Sequence, residues 1–397
     1  MNPVSAPYRA YESDRLHREL RERYDFHHVF LEQQFTEMQW ASSPVPREMP
    51  WEVLPQSRLK PLLKRIGWLR RANRGVARRL SELDPHVVWL HGYDAPALWI
   101  ARRWALRRGR PILYRADSNI ACEEAQGLNS LRMRLKGAVI RRYLGAVDAF
   151  ITIGSASEAY YAHFGADPRR FFRANYGIET PLFTRLADEQ RAAGQPLRRE
   201  LGITQPRVLL YVGRLVPVKD VPVLLRAFES VAGALPDVAL VLIGTGPLKS
   251  EFEALAQRLD GRVYLPGFMQ PERVAQMLGA ADAFVLPSRI EPWGLVVNEA
   301  MAAGLPIVAS DQVGAARDLV IPGKTGEVFP VGDADALAAA LLRVLEPPGR
   351  AAGMGAAARQ ALLDWEQRYD IVRVVDQALQ FVLSTPGVES APAGSGA

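Results

Sequence analysis

From Arg207 onward the apolar residues come in short unbroken runs, separated by stretches in which they recur every three or four positions. RVLLYVG (207–213), VALVLIG (238–244), RVYLPG (262–267), AFVLPS (283–288), PIVAS (306–310) and TGEVFP (325–330) have the first pattern. It is that of strands buried on both faces. VPVLLRAFESVAGAL (221–235), LKSEFEALAQRL (248–259), PERVAQMLGAA (271–281) and ADALAAALLRVL (334–345) keep the helical period. Strands and helices alternating in this way predict a parallel sheet covered on both sides, which is one Rossmann-like domain. The N-terminal half repeats the theme less regularly, with strands expected at 27–32, 86–92, 111–116 and 149–154. The fold class is therefore α/β, with two Rossmann-like domains facing across a cleft. The expected division is 1–184, a polar linker at 185–206, 207–364, a long helix at 365–384 and a small, polar, disordered tail at 385–397.

Length agrees with two domains, because at 397 residues the chain exceeds the roughly 250–300 residues at which single cores stop growing. Its one cysteine, Cys122, excludes an internal disulfide and a cysteine-built metal site. The opening MNPVSAPYRAYESD has no apolar core of a signal peptide, and no long uncharged apolar run follows. A cytoplasmic protein is expected. If NPVSAPYR is the first loop of the first domain, a strand should precede it, yet only Met1 does. The first strand is read as missing, or as lying upstream of a misassigned start.

Charge is uneven. Residues 1–200 carry 33 basic against 22 acidic residues, and the remainder 16 against 21. The excess gathers in RLKPLLKRIGWLRRANRGVARRL (58–80), with nine basic residues and no acid. Leu59, Leu62, Leu63, Ile66 and Leu69 follow the rhythm of an amphipathic helix, so the segment could lie on an anionic membrane surface or simply cover its own domain. No nucleic-acid motif accompanies the charge.

Ligands of open parallel sheets sit beyond the carboxyl ends of the strands, so the informative loops follow Gly213, Gly244, Gly267 and Leu286. In VGRLVPVKD, Arg214 and Lys219 place two cations at such a mouth, which suits a diphosphate. Gly244 and Gly246 in VLIGTGP let backbone approach a ligand closely, although Lys249 stands where a dinucleotide fingerprint needs its third glycine. Phe268, after Pro266 and Gly267, offers an apolar shelf for a nucleobase or a core contact. SRIEPWGLVVNEAMAAGLPIVAS (288–310) raises the sharpest question, because its apolar helix holds a glutamate, Glu299, and another, Glu291, precedes it. A buried carboxylate without a partner is costly. A phosphate at the helix start, on the amides of Gly294, Leu295 and Val296, with sugar hydroxyls on the two acids, would account for both. An ordinary loop acid and a pairing of Glu299 with a buried arginine are the plainer alternatives. His91, closing the strand VWLHG, and Arg115 and Asp117, closing PILYRAD, are placed at strand ends facing the cleft. The D-x-D of Asp333 and Asp335 opens an alanine-rich helix and reads as a cap. His27 and His28 fall on opposite faces of a strand and cannot share a metal.

SRIEPWGLVVNEAMAAGLPIVAS resembles the E-x7-E signature of retaining family-4 glycosyltransferases of the GT-B fold. VGRLVPVKD, LIGTGP, LPGF and ADAFVLPS match that family in order and spacing, over roughly residues 200–345. The N-terminal half resembles a bacterial subgroup more loosely, through NPVSAPYR, YRADSN, TIGSASEAYYAHFGA and ANYGIE, with Asp117 and Ser157-Glu158 departing from its pattern. The resemblance implies a hexosyltransferase using a nucleotide diphosphate sugar, with no cofactor and no metal. Arg214 and Lys219 would bind the pyrophosphate, Glu299 the ribose and Glu291 the transferred sugar. The amides of Gly294, Leu295 and Val296 would hold the phosphate. His91 would contact the sugar or phosphate, and Arg115 and Asp117 the acceptor, a glycan or lipid-linked glycan. The helix WEQRYDIVRVVDQALQFVL (365–383) would pack back on the first domain. The rivals are a non-catalytic subunit that keeps the nucleotide-sugar site, and a nucleotide-sugar epimerase.

Overall fold

The computed structural model describes residues 2–4, 7–32, 50–55, 73–120, 131–259 and 261–384. The basic stretch 58–80 lies outside the described residues up to 72, and so does the tail 385–397.

Thirteen strands are described, all in parallel pairs. The first domain contains β1 (Asn2–Val4), β2 (His28–Glu32), β3 (Trp51–Val53), β4 (Val88–His91), β5 (Ile112–Arg115), β6 (Ala149–Thr152) and β7 (Phe171–Arg173). They form two sheets, β1-β2-β3 and β4-β5-β6-β7, and β1 lies against β4. At the start of the described residues the three-residue β1 pairs Asn2 with Phe30 and Val4 with Glu32. The second domain contains β8 (Arg207–Val212), β9 (Val238–Ile243), β10 (Val263–Gly267), β11 (Ala283–Leu286), β12 (Ile307–Ser310) and β13 (Gly326–Phe329). Their order is β10-β9-β8-β11-β12-β13. Winding outward from β8 in one direction and from β11 in the other leaves a crevice between those two strands, at their carboxyl ends.

The central strands β8, β9, β11 and β12 are almost wholly buried valine, leucine, isoleucine and alanine, as a sheet covered on both faces requires. The helices Val221–Ala234 and Ala334–Leu345 cover one stretch of this core with Leu224, Phe228, Val231, Leu337, Leu341 and Val344. Asp333 caps the latter helix by accepting from the Ala336 amide at 2.9 Å, which accounts for the D-x-D.

Two boundaries differ from the sequence reading. The stretch 185–206 is no open linker: the helices Thr180–Ala192 and Pro196–Glu200 occupy most of it. Phe183, Ala187 and Leu197 join the second domain's core. The polar composition misleads because only one face of Thr180–Ala192 is buried, and that face crosses Pro271–Gly279 closely. A Cβ on Gly279 would stand 2.5 Å from the Ala187 Cα. The long C-terminal helix is divided. Arg350–Arg368 belongs to the second domain, Tyr369 ends it, and Ile371–Ser384 begins afresh under an Asp370 carboxylate that accepts from the Val372 and Arg373 amides at 3.1 and 3.0 Å. Ile371, Val375, Ala378 and Val382 pack with Leu16, Leu113 and Ile151 of the first domain.

Candidate donor site

The loops after β8 and β11 meet at the crevice. Pro217 fixes the first backbone angle of a single 3-10 turn, Pro217–Lys219, and Asp220 follows in the left-handed region at φ 50°. Three contacts bind this turn to the loop after β11. The Arg289 amide donates to the Val218 carbonyl at 2.8 Å, the Arg289 guanidinium pairs with Asp220 at 3.0 Å, and Lys219 pairs with Glu291. The Ser288 hydroxyl lies 3.5 Å from the same Glu291 oxygen. Glu291 is also held through its backbone, whose carbonyl accepts from the Gly314 amide at 3.0 Å. The glutamate thereby faces the lysine across the mouth of the sheet.

Gly294 sits at φ 93° and opens the helix Leu295–Ala302. A side chain there would be strained, and its Cβ would stand 3.0 Å from the Glu291 Cγ. The first amides of the helix, including Leu295 and Val296, have no carbonyl one turn back, and the helix dipole adds partial positive charge at this end. Glu299 lies one turn further in, between the buried Asn298 and Ala300. Among the described residues no arginine pairs with its carboxylate and no hydrogen bond reaches its side chain. Burial alone pushes its pKa up to about 7.

Gly244 and Gly246 bring backbone close to backbone. A Cβ on Gly244 would stand 1.9 Å from the Gly213 carbonyl oxygen, and one on Gly246 2.3 Å from that of Leu215. The glycines let the loops after β8 and β9 press together, where the Gly213 amide donates to Ile243 and the Leu215 amide to Thr245. Arg214 is exposed on the resulting ledge, and its carbonyl accepts from the buried Tyr211 hydroxyl at 3.0 Å. Phe268 is half-buried just past β10.

On the opposite domain, His91 and Arg115 end adjacent strands in register. The His91 ring stacks on Trp89 with centroids 4.9 Å apart. Arg115 is not an open cation: it is buried, and its guanidinium pairs with both oxygens of Glu12 at 3.0 and 3.1 Å. Glu12 accepts in addition from the Gly177 amide at 2.7 Å. A charge so engaged fixes the helix Pro7–Leu20 to β5, and that displaces the acceptor role read for Arg115. Asp117 is exposed and accepts from the Tyr176 hydroxyl at 2.8 Å.

The sequence reading missed Trp293, Asp318, Gly154 and Arg173, which meet where the two domains touch. Only Trp293 had a visible signal, standing between Glu291 and Gly294. Among the described residues no group of three or more histidine, cysteine, aspartate or glutamate side chains could hold a metal ion. No helix among them is long and apolar enough to cross a membrane.

Two Rossmann-like domains, and an acid–lysine pair beside a helix N-terminus at the crevice of the second, define a glycosyltransferase of the GT-B class. Residues 13–180 match the family model described as Glycosyltransferase Family 4, and residues 195–361 the one described as Glycosyl transferases group 1. The GDP-mannose-dependent alpha-(1-6)-phosphatidylinositol monomannoside mannosyltransferase of Mycolicibacterium smegmatis is 34% identical over 306 residues, 74% of this chain and 76% of that enzyme. A Corynebacterium glutamicum enzyme, the GDP-mannose-dependent monoacylated alpha-(1-6)-phosphatidylinositol monomannoside mannosyltransferase, is 34% identical over 214 residues, 51% of this chain and 55% of that one. Among solved structures, Anabaena HepE in complex with UDP superimposes with a TM-score of 0.71 at 20% identity, covering 97% of this chain and 99% of that chain. The chain belongs to the family-4 glycosyltransferases, and it is a glycosyltransferase enzyme.

Proposed function

We propose that the protein transfers a hexose from a nucleotide diphosphate sugar to a glycan or lipid-linked acceptor, with retention at the anomeric carbon and without a metal ion. The observation that carries this reading is Glu299, a half-buried carboxylate with which no described residue pairs, one turn behind the first amides of its helix. Vicinal ribose hydroxyls would donate to it while the diphosphate rests on the amides of Gly294, Leu295 and Val296. Arg214 and Lys219 would neutralise the diphosphate. Lys219 then exchanges Glu291 for phosphate oxygen, and Glu291 accepts from hydroxyls of the transferred sugar. Phe268 would face the base and His91 the sugar.

In the reaction, the bond from the anomeric carbon to the diphosphate oxygen breaks, and the acceptor oxygen bonds to that carbon on the same face. The leaving phosphate oxygen takes the acceptor's proton. Charge grows on the leaving group, so the protein's main contribution is electrostatic, through Arg214, Lys219 and the helix start. The GDP-mannose dependence of the two relatives and the UDP complex of HepE place GDP and UDP donors first in the panel to be tried. The basic stretch 58–80 would bring the enzyme to an anionic membrane face where lipid-linked acceptors lie.

Calorimetry against GDP-, UDP-, ADP- and dTDP-sugars tests the reading. Saturable binding of one nucleotide class, lost in Glu299→Ala, supports it. A folded protein that binds none of them, or binds equally well without Glu299, overturns it.

A further inference from the structure

Where the domains meet, a carboxylate of the second domain caps a helix of the first. The helix Ser155–His163 begins after Gly154, whose amide donates to the helix's own Ser157 hydroxyl at 3.3 Å, but Gly154 has no side chain to accept from the Ser155 amide. Asp318 fills that place from across the seam: its carboxylate accepts from the Ser155 amide at 2.9 Å. An anion at a helix N-terminus satisfies an orphan donor and opposes the dipole favourably. Arg173 at the end of β7 lies 3.6 Å from Asp318 and also pairs with Glu158. Its guanidinium covers the rings of Trp365 and Tyr369 at 5.8 and 5.5 Å, in the last turn and at the end of the helix that leads from the second domain back to the first. Burial raises the Asp318 pKa, against the lowering effect of Ser155 and Arg173.

The same seam reaches the donor loop. Trp293, between Glu291 and Gly294, is buried and stacks on Trp365 with centroids 6.1 Å apart. Its carbonyl accepts from the Ala315 amide at 2.8 Å, and the Glu291 carbonyl accepts from Gly314, at the start of the short helix that ends by presenting Asp318. Gly154 is in extended backbone that any residue adopts, yet a Cβ there would stand 2.4 Å from Asp318 Oδ2 and 2.5 Å from Trp293 Cζ3. Its missing side chain is explained by the closeness of the other domain.

We propose that Asp318 is an inter-domain positioning residue: by capping the helix Ser155–His163 across the seam, it fixes where the loop 291–294 stands relative to the first domain. The proposal rests on the reading of that loop as the donor site, but its first test does not. In Asp318→Ala, and independently in Gly154→Ala, amide exchange should rise at 291–296 and 155–158 while the β8–β9 core keeps its protection. Unchanged exchange at 291–296 in both variants overturns the proposal whatever the loop binds. Turnover is the second readout. Both variants should keep the nucleotide affinity of the wild type and lose kcat by roughly 10- to 100-fold, the scale of misplacing reacting groups by about an ångström. Asp318→Asn, which keeps an oxygen for the Ser155 amide but not the charge facing Arg173, should fall between. A wild-type kcat in both variants, or a loss of kcat matched by equal losses of affinity and Tm, refutes positioning.

Discussion

Glu299→Gln should stabilise the ligand-free protein above neutral pH while removing its nucleotide binding. Burial raises the Glu299 pKa from 4.5 to about 7, and no described residue offsets it. In the unfolded chain the carboxyl ionises at its ordinary value, so the folded state holds the proton more tightly. The associated stability is fully present below about pH 4.5 and is lost as pH rises toward 7. At about 1.4 kcal/mol for each tenfold change in proton affinity, the ionised glutamate costs the fold at most about 3 kcal/mol at pH 8. Glutamine keeps the shape without the charge. At roughly 2–4 °C per kcal/mol for a domain of 150–250 residues, the gain in Tm at pH 8 is on the order of 6–12 °C, vanishing near pH 4. Binding should move the other way. Ribose hydroxyls donate to the ionised form, so affinity rises with pH through about 7. At pH 7 calorimetry in buffers of different ionisation enthalpy should detect proton release. Thermal melts of both proteins at pH 4 and pH 8, with titrations of the nucleotide that binds, check all of this. A glutamine variant that melts at or below the wild type at pH 8 would mean that the charge has a partner within the protein, and the site assignment would fail.

Other outcomes follow from the same geometry. Lys219→Ala should lower kcat by about 10² to 10³, the scale of removing one donor that stabilises leaving-group charge; near-normal turnover would remove the lysine from the site. Glu12→Ala leaves Arg115 buried without its partner and should destabilise the first domain by about 3–5 kcal/mol in urea unfolding, with Glu12→Gln milder. Acceptor KM at temperatures where the variant is folded should not change. Chelation by EDTA should leave steady-state transfer unaltered, and recovery of activity on adding a divalent cation would overturn the metal-free mechanism.

What could be read from the sequence depended on distance along the chain. Arg214, Lys219 and Glu291 lie in loops after strands, and Glu299 in the helix that the last of these loops opens; the strand patterns are unmistakable, and a parallel sheet sends all such loops to one edge. Arg115 could not be read this way, because the glutamate that engages it lies 103 residues earlier. Nor could Gly154, whose neighbours Trp293 and Asp318 come from the other domain. The strands β1, β3 and β7 have three residues each, too few for a period to show. The polar run at 185–201 misled for the opposite reason, since a helix with one narrow buried face has a composition much like that of a linker.

The helix Ile371–Ser384 has a bearing on how the chain is made. It covers Leu113, Ala149 and Ile151, so the first domain's core takes in residues from both ends of the polypeptide. Without that helix the first domain would have this apolar face bare. The second domain, whose core draws on a nearly continuous segment, is free to fold first. Closing the first domain's core therefore takes residues that follow the second domain in the chain, so the two halves cannot be completed in the order in which they are synthesised.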